Sequence, residues 1–328
     1  MKAVRFSKFG HPLKVVEVVE EPDAELKSGE VRIEVLAAPI NPSDVLTLSG
    51  QYGSLPKLPA VPGNEGVGRV VEVKDSSAVK VGDVVFLPLG SGTWRTHLVA
   101  PAEGLTPVPK GTDVKQASML FVNPPTADIM LREFVTLQSG DWVLQNAANS
   151  AVGRYLITLA KQAGYKTLNV VRREELAPEL LALGADVVLT DTDDLPERVR
   201  AATGGAKVRL AIDGVGGDST RRLGDSLATG GTVVNYGVMS GKGPKLSAAA
   251  TIFKDITLRG FWLVLWLKRA EREHQRDTYA RLSKLLADGT LKTAVEGTFS
   301  LDAIQEALAR AMEGGRGGKV LLTPNGPV

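Results

Sequence analysis

The stretch that decides the fold is "DWVLQNAANSAVGRYLITLAKQAGYKTLNVVRR", residues 141–173. It opens with the apolar run "DWVLQNA" and continues through "AVGRYLITLAKQAG", which has helical spacing and ends at a glycine. It closes with a second apolar run, "KTLNVVR". Apolar runs of strand length on either side of an amphipathic helix predict a βαβ unit, in which the two strands lie parallel.

The turn between the first strand and the helix predicts a dinucleotide site. "AANSAVG" places Ala148, Ser150 and Gly153 on the three positions of a GxGxxG pattern, although only the third is glycine. Small residues let a pyrophosphate approach the N–H groups at the helix N-terminus, where the helix dipole favours an anion. A tight turn without a ligand is the alternative, because degenerate glycine loops are common.

Outside this unit, the chain changes rhythm near residue 118. Before it, β-rich runs such as Val31–Leu36 and Val67–Val73 alternate with Gly/Pro turns, which indicates a barrel-like unit. After it, "ELLALGADVVLT", "VRLAIDGVGG" and "GGTVVNYG" continue the alternation of strands and helices. The sequence therefore predicts an α/β protein of two domains: residues 118–264 form a Rossmann-type, doubly wound parallel-sheet cofactor domain, and residues 1–117 with 265–328 form a β-rich catalytic domain.

The composition narrows the class of partner. Among 328 residues, 39 Lys and Arg balance 37 Asp and Glu without a like-charge run, so we expect no nucleic acid and no membrane surface as partner. Cysteine is absent, which excludes disulfides, thiolate zinc sites and a cysteine nucleophile. The opening "MKAVRFSKFG" has no apolar signal segment, and "GFWLVLWL" is too short to span a bilayer. We therefore expect a soluble, cytoplasmic protein that acts on a small molecule.

The end of the second strand indicates which dinucleotide is bound. Sites for NAD usually carry Asp or Glu there for the ribose 2′-hydroxyl, whereas this chain has Arg172 and Arg173 in "NVVRREE". Two guanidinium groups suit a 2′-phosphate, so NADPH is favoured over NADH. Two arginines on a solvated helix start are the alternative.

The order of the domains resembles the medium-chain dehydrogenase/reductase superfamily over essentially the whole chain, which implies that the β-rich domain is GroES-like. Zinc alcohol dehydrogenases of that superfamily have a cysteine ligand where this chain has Asn41 in "INPSD" and a histidine ligand where it has Asn64 in "GNEGVG". An amide is a poor zinc ligand, and "FLPLGSGTWRTH" leaves no room for the cysteine-rich structural zinc lobe. The three histidines, His11, His97 and His274, are too scattered to form a site, so no metal is expected.

Seven segments in the same order resemble the 2-enoyl thioester reductases, the NADPH-dependent enoyl-CoA and enoyl-ACP reductases of bacterial and mitochondrial-type fatty acid synthesis. They are "APINPSD", "GQYGSLPKLPAVPGNEG", "GTWRTH", "VNPPTA", "QNAANSAVG", "NVVR" and "LRGFWLVLW". Quinone oxidoreductases share the tyrosine, the proline-rich loop and the missing zinc, but "NPPTA" and the paired Trp262 and Trp266 favour the thioester reductases. An NADPH:quinone oxidoreductase and a non-catalytic NADPH-binding sensor stay open as alternatives.

The resemblance implies a reaction in which NADPH delivers hydride to C3 of a trans-2-enoyl thioester and C2 takes a proton. Charge then gathers on the thioester oxygen, so the site needs a hydrogen-bond donor there and a proton source near C2. Tyr52 matches the family's catalytic tyrosine, and a neutral phenol suits either role; packing on its loop is the alternative. Asn41 would lie beside Tyr52, with an Asx turn before Pro42 as the alternative. The implied partners are an enoyl thioester of CoA or acyl carrier protein and a second copy of the chain.

The same resemblance implies the residues that contact NADPH. Asn123 and Thr126 would reach it where the chain crosses between the domains, and Lys319 would contact it from the last strand, with a surface lysine as the alternative. The other implied contacts are Asn149, Ser150, Ala151, Val152 and Gly153 of the phosphate turn, Arg172 and Arg173, "YGVM" (Tyr236, Gly237, Val238 and Met239), and "FWLV" (Phe261, Trp262, Leu263 and Val264).

Overall fold

The computed structural model describes residues 1–328 and divides them into two compact units. The first unit contains Met1–Val122 and Ala280–Val328, and the second contains Asn123–Tyr279. The sequence places the two domain boundaries at 117/118 and 264/265, whereas in the structure the chain passes from one unit to the other at 122/123 and 279/280. The second of these positions lies inside a long helix, where no Gly or Pro marks a change of unit.

The elements have the following bounds in chain order. The strands are β1 (Lys2–Phe6), β2 (Val16–Glu20), β3 (Glu30–Pro39), β4 (Val67–Val73), β5 (Val84–Phe86), β6 (His97–Pro101), β7 (Trp142–Gln145), β8 (Lys166–Val171), β9 (Val187–Thr190), β10 (Leu210–Asp213), β11 (Thr232–Asn235), β12 (Thr257–Gly260), β13 (Val295–Phe299) and β14 (Lys319–Leu322). The helices are α1 (Pro12–Val15), α2 (Pro42–Leu48), α3 (Val114–Ala117), α4 (Asn123–Arg132), α5 (Ala151–Gln162), α6 (Ala177–Leu183), α7 (Leu195–Ala202), α8 (Gly217–Ser226), α9 (Leu263–Arg269), α10 (Arg272–Ala287) and α11 (Ile304–Met312). None of these helices has the length and apolar character that a membrane span requires.

The first unit is built on a sheet of order β13-β14-β3-β4-β5, with β6 paired to β3 as well. Along β3, Val31, Ile33 and Val35 are fully buried and the residues between them are not, which is the period of two expected of a half-buried strand. The end of the chain returns to this sheet, because β14 runs antiparallel to β3 and parallel to β13. The predicted β-rich class of this unit is therefore confirmed.

The second unit contains a six-stranded parallel sheet of order β12-β11-β10-β7-β8-β9. The chain winds outward from β7 to β9 and then returns to β10 on the other side of β7, so the winding direction reverses between these two strands. Val170 and Val171, neighbours on β8, pack in separate clusters, the first with Leu195 and the second with Ile157. Both faces of the sheet are thus covered by helices, and the predicted doubly wound Rossmann-type fold is confirmed.

Candidate active site

The phosphate turn lies between β7 and α5 in the second unit. Ser150 Oγ accepts a hydrogen bond from the Gly153 N–H at 3.1 Å, which caps the helix. A Cβ atom on Gly153 would lie 2.5 Å from the Ala148 carbonyl oxygen, so the chain tolerates only glycine there. The N–H groups and the positive end of α5 suit an anion, and the turn fits a pyrophosphate. Of the other residues predicted here, Asn149 and Ala151 are half-buried and Val152 is buried.

Arg172 and Arg173 follow the last residue of β8, and both are exposed. Because β7 and β8 are parallel neighbours, these arginines and the phosphate turn both lie at the carboxyl ends of the strands, on the same side of the sheet. Arg173 Nε lies 3.5 Å from Glu175 Oε1, a weak contact between exposed groups that a bound phosphate can replace. The strand end therefore fits the 2′-phosphate that distinguishes NADPH from NADH.

The segment "YGVM" follows β11 at this same edge. Tyr236 hydrogen-bonds Ser150, and burial raises the pKa of its phenol to about 12, so the phenol stays protonated at neutral pH. Gly237 is half-buried, and Val238 and Met239 expose 45% and 54% of their surface. The structure thus brings this segment to the phosphate turn and leaves the apolar side chains of Val238 and Met239 exposed.

A buried carboxylate that the sequence analysis missed joins the strand ends behind this edge. Asp213 is fully buried and accepts hydrogen bonds from Thr220 Oγ1 at 2.6 Å and Asn235 Nδ2 at 2.8 Å. Asn146 Nδ2 donates to it at 2.6 Å, and Asn146 Oδ1 accepts from the Gly214 N–H at 2.8 Å. These bonds tie the ends of β7, β10 and β11 to α8. The available signal was an Asp closing the apolar run "RLAID", where an acidic side chain needs partners.

Asn123 and Thr126 are buried in the first turn of α4, with 7% and 8% of their surface exposed. Pro124 and Pro125 stand in the same turn, where the missing N–H groups have no partner within the helix anyway. The prolines thus start a helix that also holds Asn123 and Thr126. A helix start and a cofactor contact at "VNPPTA" are therefore compatible. Contact of these residues with NADPH stays a prediction.

The segment "FWLV" joins β12 to α9. The Phe261 N–H donates to the Asn235 carbonyl at 2.8 Å, and its ring meets that of Phe134 edge-on with centroids 6.0 Å apart. Trp262 is half-buried at the N-cap position of α9, Leu263 is buried and Val264 is half-buried. The structure accounts for Phe261 by packing within the unit, and contacts of this segment with NADPH stay predictions.

The first unit holds a buried polar cluster, formed by Asn41, Asp44, Asn64, Glu65 and Lys319. Asn41 and Asp44 flank the start of α2, Asn64 and Glu65 precede β4, and Lys319 opens β14. Asn41, Asp44 and Glu65 expose 1% or 2% of their surface and Lys319 exposes 9%, while Asn64 is half-buried. Two acids and a base are therefore held away from water together.

Hydrogen bonds connect every member of the polar cluster. Asn41 Nδ2 donates to Glu65 Oε1 at 2.8 Å, and its backbone N–H donates to Asp44 Oδ2 at 2.7 Å. Asn64 Nδ2 donates to Asp44 Oδ1 at 2.6 Å, and Lys319 Nζ donates to Asn41 Oδ1. Glu65 Oε2 also accepts the backbone N–H groups of residues 121 and 122 at 2.8 and 3.0 Å.

Burial sets the ionisation of the cluster. It raises the pKa of Asp44 to about 6, against the opposing effects of the N–H donors and of Lys319. It also raises the pKa of Glu65, and it lowers the pKa of the Lys319 ammonium, because charged forms of all three groups lose hydration. The pKa values of all three groups thus lie nearer neutrality than their ordinary values, and Asn41 links the groups by hydrogen bonds.

Tyr52 lies on the loop that follows α2. It is half-buried, whereas the residues beside it, Gln51 and Gly53, are exposed. The loop therefore turns this side chain toward the protein. In the first unit the structure places three predicted residues, Asn41, Tyr52 and Lys319, and the other predicted residues lie in the second unit.

The polar cluster includes Asn41 and Asn64, where the family resemblance implies the ligand positions of zinc alcohol dehydrogenases, and its chemistry does not suit zinc. No group of three or more His, Cys, Asp or Glu side chains is arranged to hold a metal ion. Amides stand at Asn41 and Asn64, and the amide oxygen of Asn41 already accepts a hydrogen bond from an ammonium.

Two family models match the chain. Residues 27–110 match the alcohol dehydrogenase GroES-like domain, and residues 151–287 match the zinc-binding dehydrogenase model. Among curated proteins, the mitochondrial "Enoyl-[acyl-carrier-protein] reductase" of Rattus norvegicus is 41% identical over 320 residues, which cover 95% of this chain and 86% of the relative. The protein of the same name from Homo sapiens is 40% identical over 330 residues, covering 98% of this chain and 88% of the relative.

Solved structures agree in fold over nearly the whole chain. The Etr1p/NADP/crotonyl-CoA complex has a TM-score of 0.89 at 27% identity and covers 98% of this chain and 99% of that one. A putative NADPH:quinone reductase from Bacillus thuringiensis has a TM-score of 0.89 at 32% identity, with 98% of each chain covered. The Etr1p/Etr2p heterodimer of Candida tropicalis has a TM-score of 0.88 at 28% identity, with 98% of this chain and 99% of that one covered.

The expected cytoplasmic location is contradicted by these comparisons, because the curated relatives are named mitochondrial enzymes. The expectation rested partly on the absence of cysteine, which excludes disulfides in any compartment. Neither the absence of cysteine nor the charge balance distinguishes one reducing compartment from another.

Proposed function

This chain belongs to the family of the mitochondrial enoyl-acyl-carrier-protein reductases, and from that premise we infer that it reduces the 2,3 double bond of trans-2-enoyl thioesters with NADPH. The observation that carries this function is 40–41% identity to these reductases over 95–98% of the chain. A non-catalytic sensor is no longer a candidate, since the relatives are enzymes.

NADPH, when bound, supplies a hydride to C3 of the enoyl thioester. The chain's own residues bind and orient it: the turn capped by Ser150 offers N–H groups to the pyrophosphate, and Arg172 and Arg173 offer guanidinium groups to the 2′-phosphate. Asp213 keeps the neighbouring strand ends in register by accepting hydrogen bonds from three of the elements around it. These contacts make the site rigid before the substrate arrives.

Tyr52 stabilises the charge on the thioester oxygen, a role that a metal ion would otherwise fill. As negative charge gathers on the thioester oxygen, a neutral phenol can donate a hydrogen bond to that oxygen, or it can pass a proton to C2. Tyr52 is half-buried between the exposed residues Gln51 and Gly53, and this burial supports the role. Asn41, which the family resemblance implies as its neighbour, has its amide held by hydrogen bonds to Glu65 and Lys319.

The test is the oxidation of NADPH, followed by its absorbance, with crotonyl-CoA and with a longer trans-2-enoyl-CoA against a small quinone. We expect turnover of the enoyl thioesters with saturation at low concentration. Turnover of the quinone alone would sink this proposal. The matched control replaces NADPH with NADH, which lacks only the 2′-phosphate.

A quinone reductase is the second candidate, because the structure of a putative NADPH:quinone reductase matches at least as well as that of the enoyl reductase complex. The same assay separates the two. An enzyme that evolved for quinones is expected to prefer them by a large factor in kcat/KM, whereas an enoyl reductase is expected to reduce quinones slowly or not at all.

We also propose that the chain forms a homodimer through the open edge of the parallel sheet. All four residues of β12 are exposed, and its outer edge has no neighbouring strand. Ile252 and Phe253, just before it, expose 70% and 80% of their surface. A second copy could continue the sheet across a two-fold axis and cover both. Light scattering should give twice the 34.8 kDa of one chain, and a monomer at micromolar concentration would contradict the proposal.

A further inference from the structure

Asp213 closes β10 at the carboxyl edge of the parallel sheet, and its side chain is fully buried. Besides its three side-chain donors, it accepts at Oδ1 the backbone N–H groups of Val215 and Gly216 at 3.0 and 3.1 Å. An ionised carboxylate is an acceptor only, so this one group suits all five donors. The carboxylate thus fixes the turn of residues 214–216, which follows its own strand.

The segment that follows β11 is built on this turn. The Met239 N–H donates to the Gly214 carbonyl at 3.1 Å. The Ser240 N–H and Ser240 Oγ both donate to the Val215 carbonyl, at 2.9 and 2.7 Å. A Cβ atom on Gly214 would lie 2.7 Å from Tyr236 Oη, so the turn and the phenol are in close contact. The segment after β11 therefore takes its position from the turn.

Asn235 makes a second connection between the carboxylate and this segment. Its Nδ2 donates to Asp213 Oδ2 and to the Gly237 carbonyl, at 2.8 Å each. The Tyr236 N–H donates to the Asp213 carbonyl at 2.9 Å, and the Tyr236 phenol hydrogen-bonds Ser150 of the phosphate turn. One buried charge thus joins the segment after β11 to the turn that suits the pyrophosphate.

We propose that Asp213 is a positioning residue for hydride transfer: it holds residues 236–240 where they orient the nicotinamide of NADPH relative to the phosphate turn. This role rests on the proposed function. Asp213 acts through the turn of residues 214–216 and through Asn235, because its own side chain is fully buried. Such precision matters, since a misplacement of about 1 Å can cost about 100-fold in rate.

The substitution Asp213→Asn keeps the shape of the side chain and tests this role. It replaces one acceptor oxygen by an NH₂ group, which faces other donors whichever way the amide turns. We expect kcat with crotonyl-CoA, per NADPH-binding site, to fall about tenfold or more, while the Kd for NADPH changes by less than about threefold. A role limited to stability predicts a lower Tm with wild-type kcat per site, and that result would overturn the proposal. A raised Kd with retained kcat would overturn it as well.

The bound cofactor gives a readout that needs no turnover. The fluorescence of NADPH arises from its reduced nicotinamide, so a displaced ring should change the emission at saturating NADPH. Asp225→Asn is the matched control, because Asp225 accepts hydrogen bonds from Ser247 and Arg221 at the other end of α8. We expect changed emission in Asp213→Asn and wild-type emission in Asp225→Asn. Identical emission of Asp213→Asn and the wild type would contradict the proposal.

Two donors to the same oxygen provide a further test, should Asp213→Asn fail to fold. Thr220 Oγ1 and Asn235 Nδ2 both donate to Asp213 Oδ2, but Thr220 lies on α8, whereas Asn235 also holds the Gly237 carbonyl. We therefore expect Asn235→Ala to lower kcat at least about fivefold more than Thr220→Val. Equal losses of kcat would show that the carboxylate acts only by stabilising the core, against the proposal.

The outcome for Asp213 is separable from the outcome for the proposed function. Wild-type rates with crotonyl-CoA and a small quinone decide which substrate is reduced. The ratio of variant to wild-type kcat, taken with whichever substrate turns over, decides the role of Asp213, and the emission of bound NADPH decides it without any substrate.

Discussion

Tyr52 and phenylalanine differ by one oxygen atom, so a single substitution isolates the phenol. We predict that Tyr52→Phe lowers kcat/KM for crotonyl-CoA by about 100-fold or more, since removing one donor to a developing oxyanion typically has that effect. Affinity for NADPH should stay unchanged. Tyr165→Phe, which removes a phenol on the second unit bonded only to the Leu137 carbonyl at 3.5 Å, is the control. Steady-state kinetics checks both, and a fully active Tyr52→Phe enzyme would remove the assigned role.

The buried Asp44 predicts how the stability of the fold changes with pH. Burial raises its pKa from 3.8 to about 6, so between these values the folded protein binds a proton that the unfolded chain has lost. This contribution to stability is present at low pH and declines as the pH rises from about 4 to about 6. Relative to Asp44→Asn, the wild type should therefore lose up to about 3 kcal/mol of stability over that interval.

Denaturant unfolding of both proteins at several pH values measures this difference. Asp277→Asn, at an exposed aspartate, should run parallel to the wild type. Parallel curves for Asp44→Asn as well would show that the buried carboxyl does not titrate in this range.

Residue types revealed part of the site and not the rest. Gly153, Arg172 and Tyr52 carry their chemistry in a local motif, so the sequence could single them out. The contact of Lys319 with Asn41 could not be read in this way, because Asn41 lies 278 residues earlier and only strand register brings them together. Asp213 escaped notice for a similar reason, since its donors come from three separate elements.

At the scale of elements, the strand-to-helix turn has no spare room. In Gly153→Ala the new Cβ would meet backbone atoms of Ala148, which cannot yield as a flexible side chain would. We predict a stability loss of about 1–3 kcal/mol and weaker NADPH binding, because the helix start must shift away from the phosphate. Gly243→Ala is the control, as nothing lies within 4 Å of its added Cβ. Thermal unfolding and NADPH titration decide; equal behaviour of both variants would contradict the prediction.

The end of β8 gives a second prediction at this scale. Arg172→Ala with Arg173→Ala should raise the KM for NADPH at least about tenfold, with little change for NADH, because only NADPH carries the 2′-phosphate that pairs with guanidinium groups. Arg200→Ala, at an exposed arginine of α7, serves as control. Equal effects on the two cofactors would argue that the arginines form a solvated surface.

Elements with a strong period in their apolar residues were predictable from the sequence, and elements fixed by tertiary packing were less so. The helix expected in "AVGRYLITLAKQAG" is α5, and the final strand "KVLLT" contains β14. The apolar stretch "GFWLVLWL" gave no such signal, and it divides into the end of β12 and helix α9. A short apolar run suits a strand or a buried helix equally, so tertiary contacts decide between them.

The proposed homodimer is tested at the exposed outer edge of β12. We predict that Phe253→Glu shifts the protein toward a monomer, because it places a charge on the apolar surface that a second copy would cover. Val81→Glu, at a valine that is 61% exposed on the first unit, should leave the dimer intact. Sedimentation velocity across a dilution series reads out the change, and a stable dimer of Phe253→Glu would place the interface elsewhere.

The position of β14 between β13 and β3 has a consequence for synthesis. Asn41 leaves the ribosome 278 residues before Lys319, which at about 5–20 residues per second is a delay of roughly a quarter of a minute to a minute. The parallel sheet is complete in the nascent chain before the first unit can receive its last strands. Until then Ala38 and Pro39 at the end of β3 lack the partner strand that β14 provides, although β4 and β6 already pair with the rest of β3, and the polar cluster lacks Lys319. The polar cluster is therefore among the last parts of the protein to form, and the nascent first unit is expected to need protection from aggregation for longest.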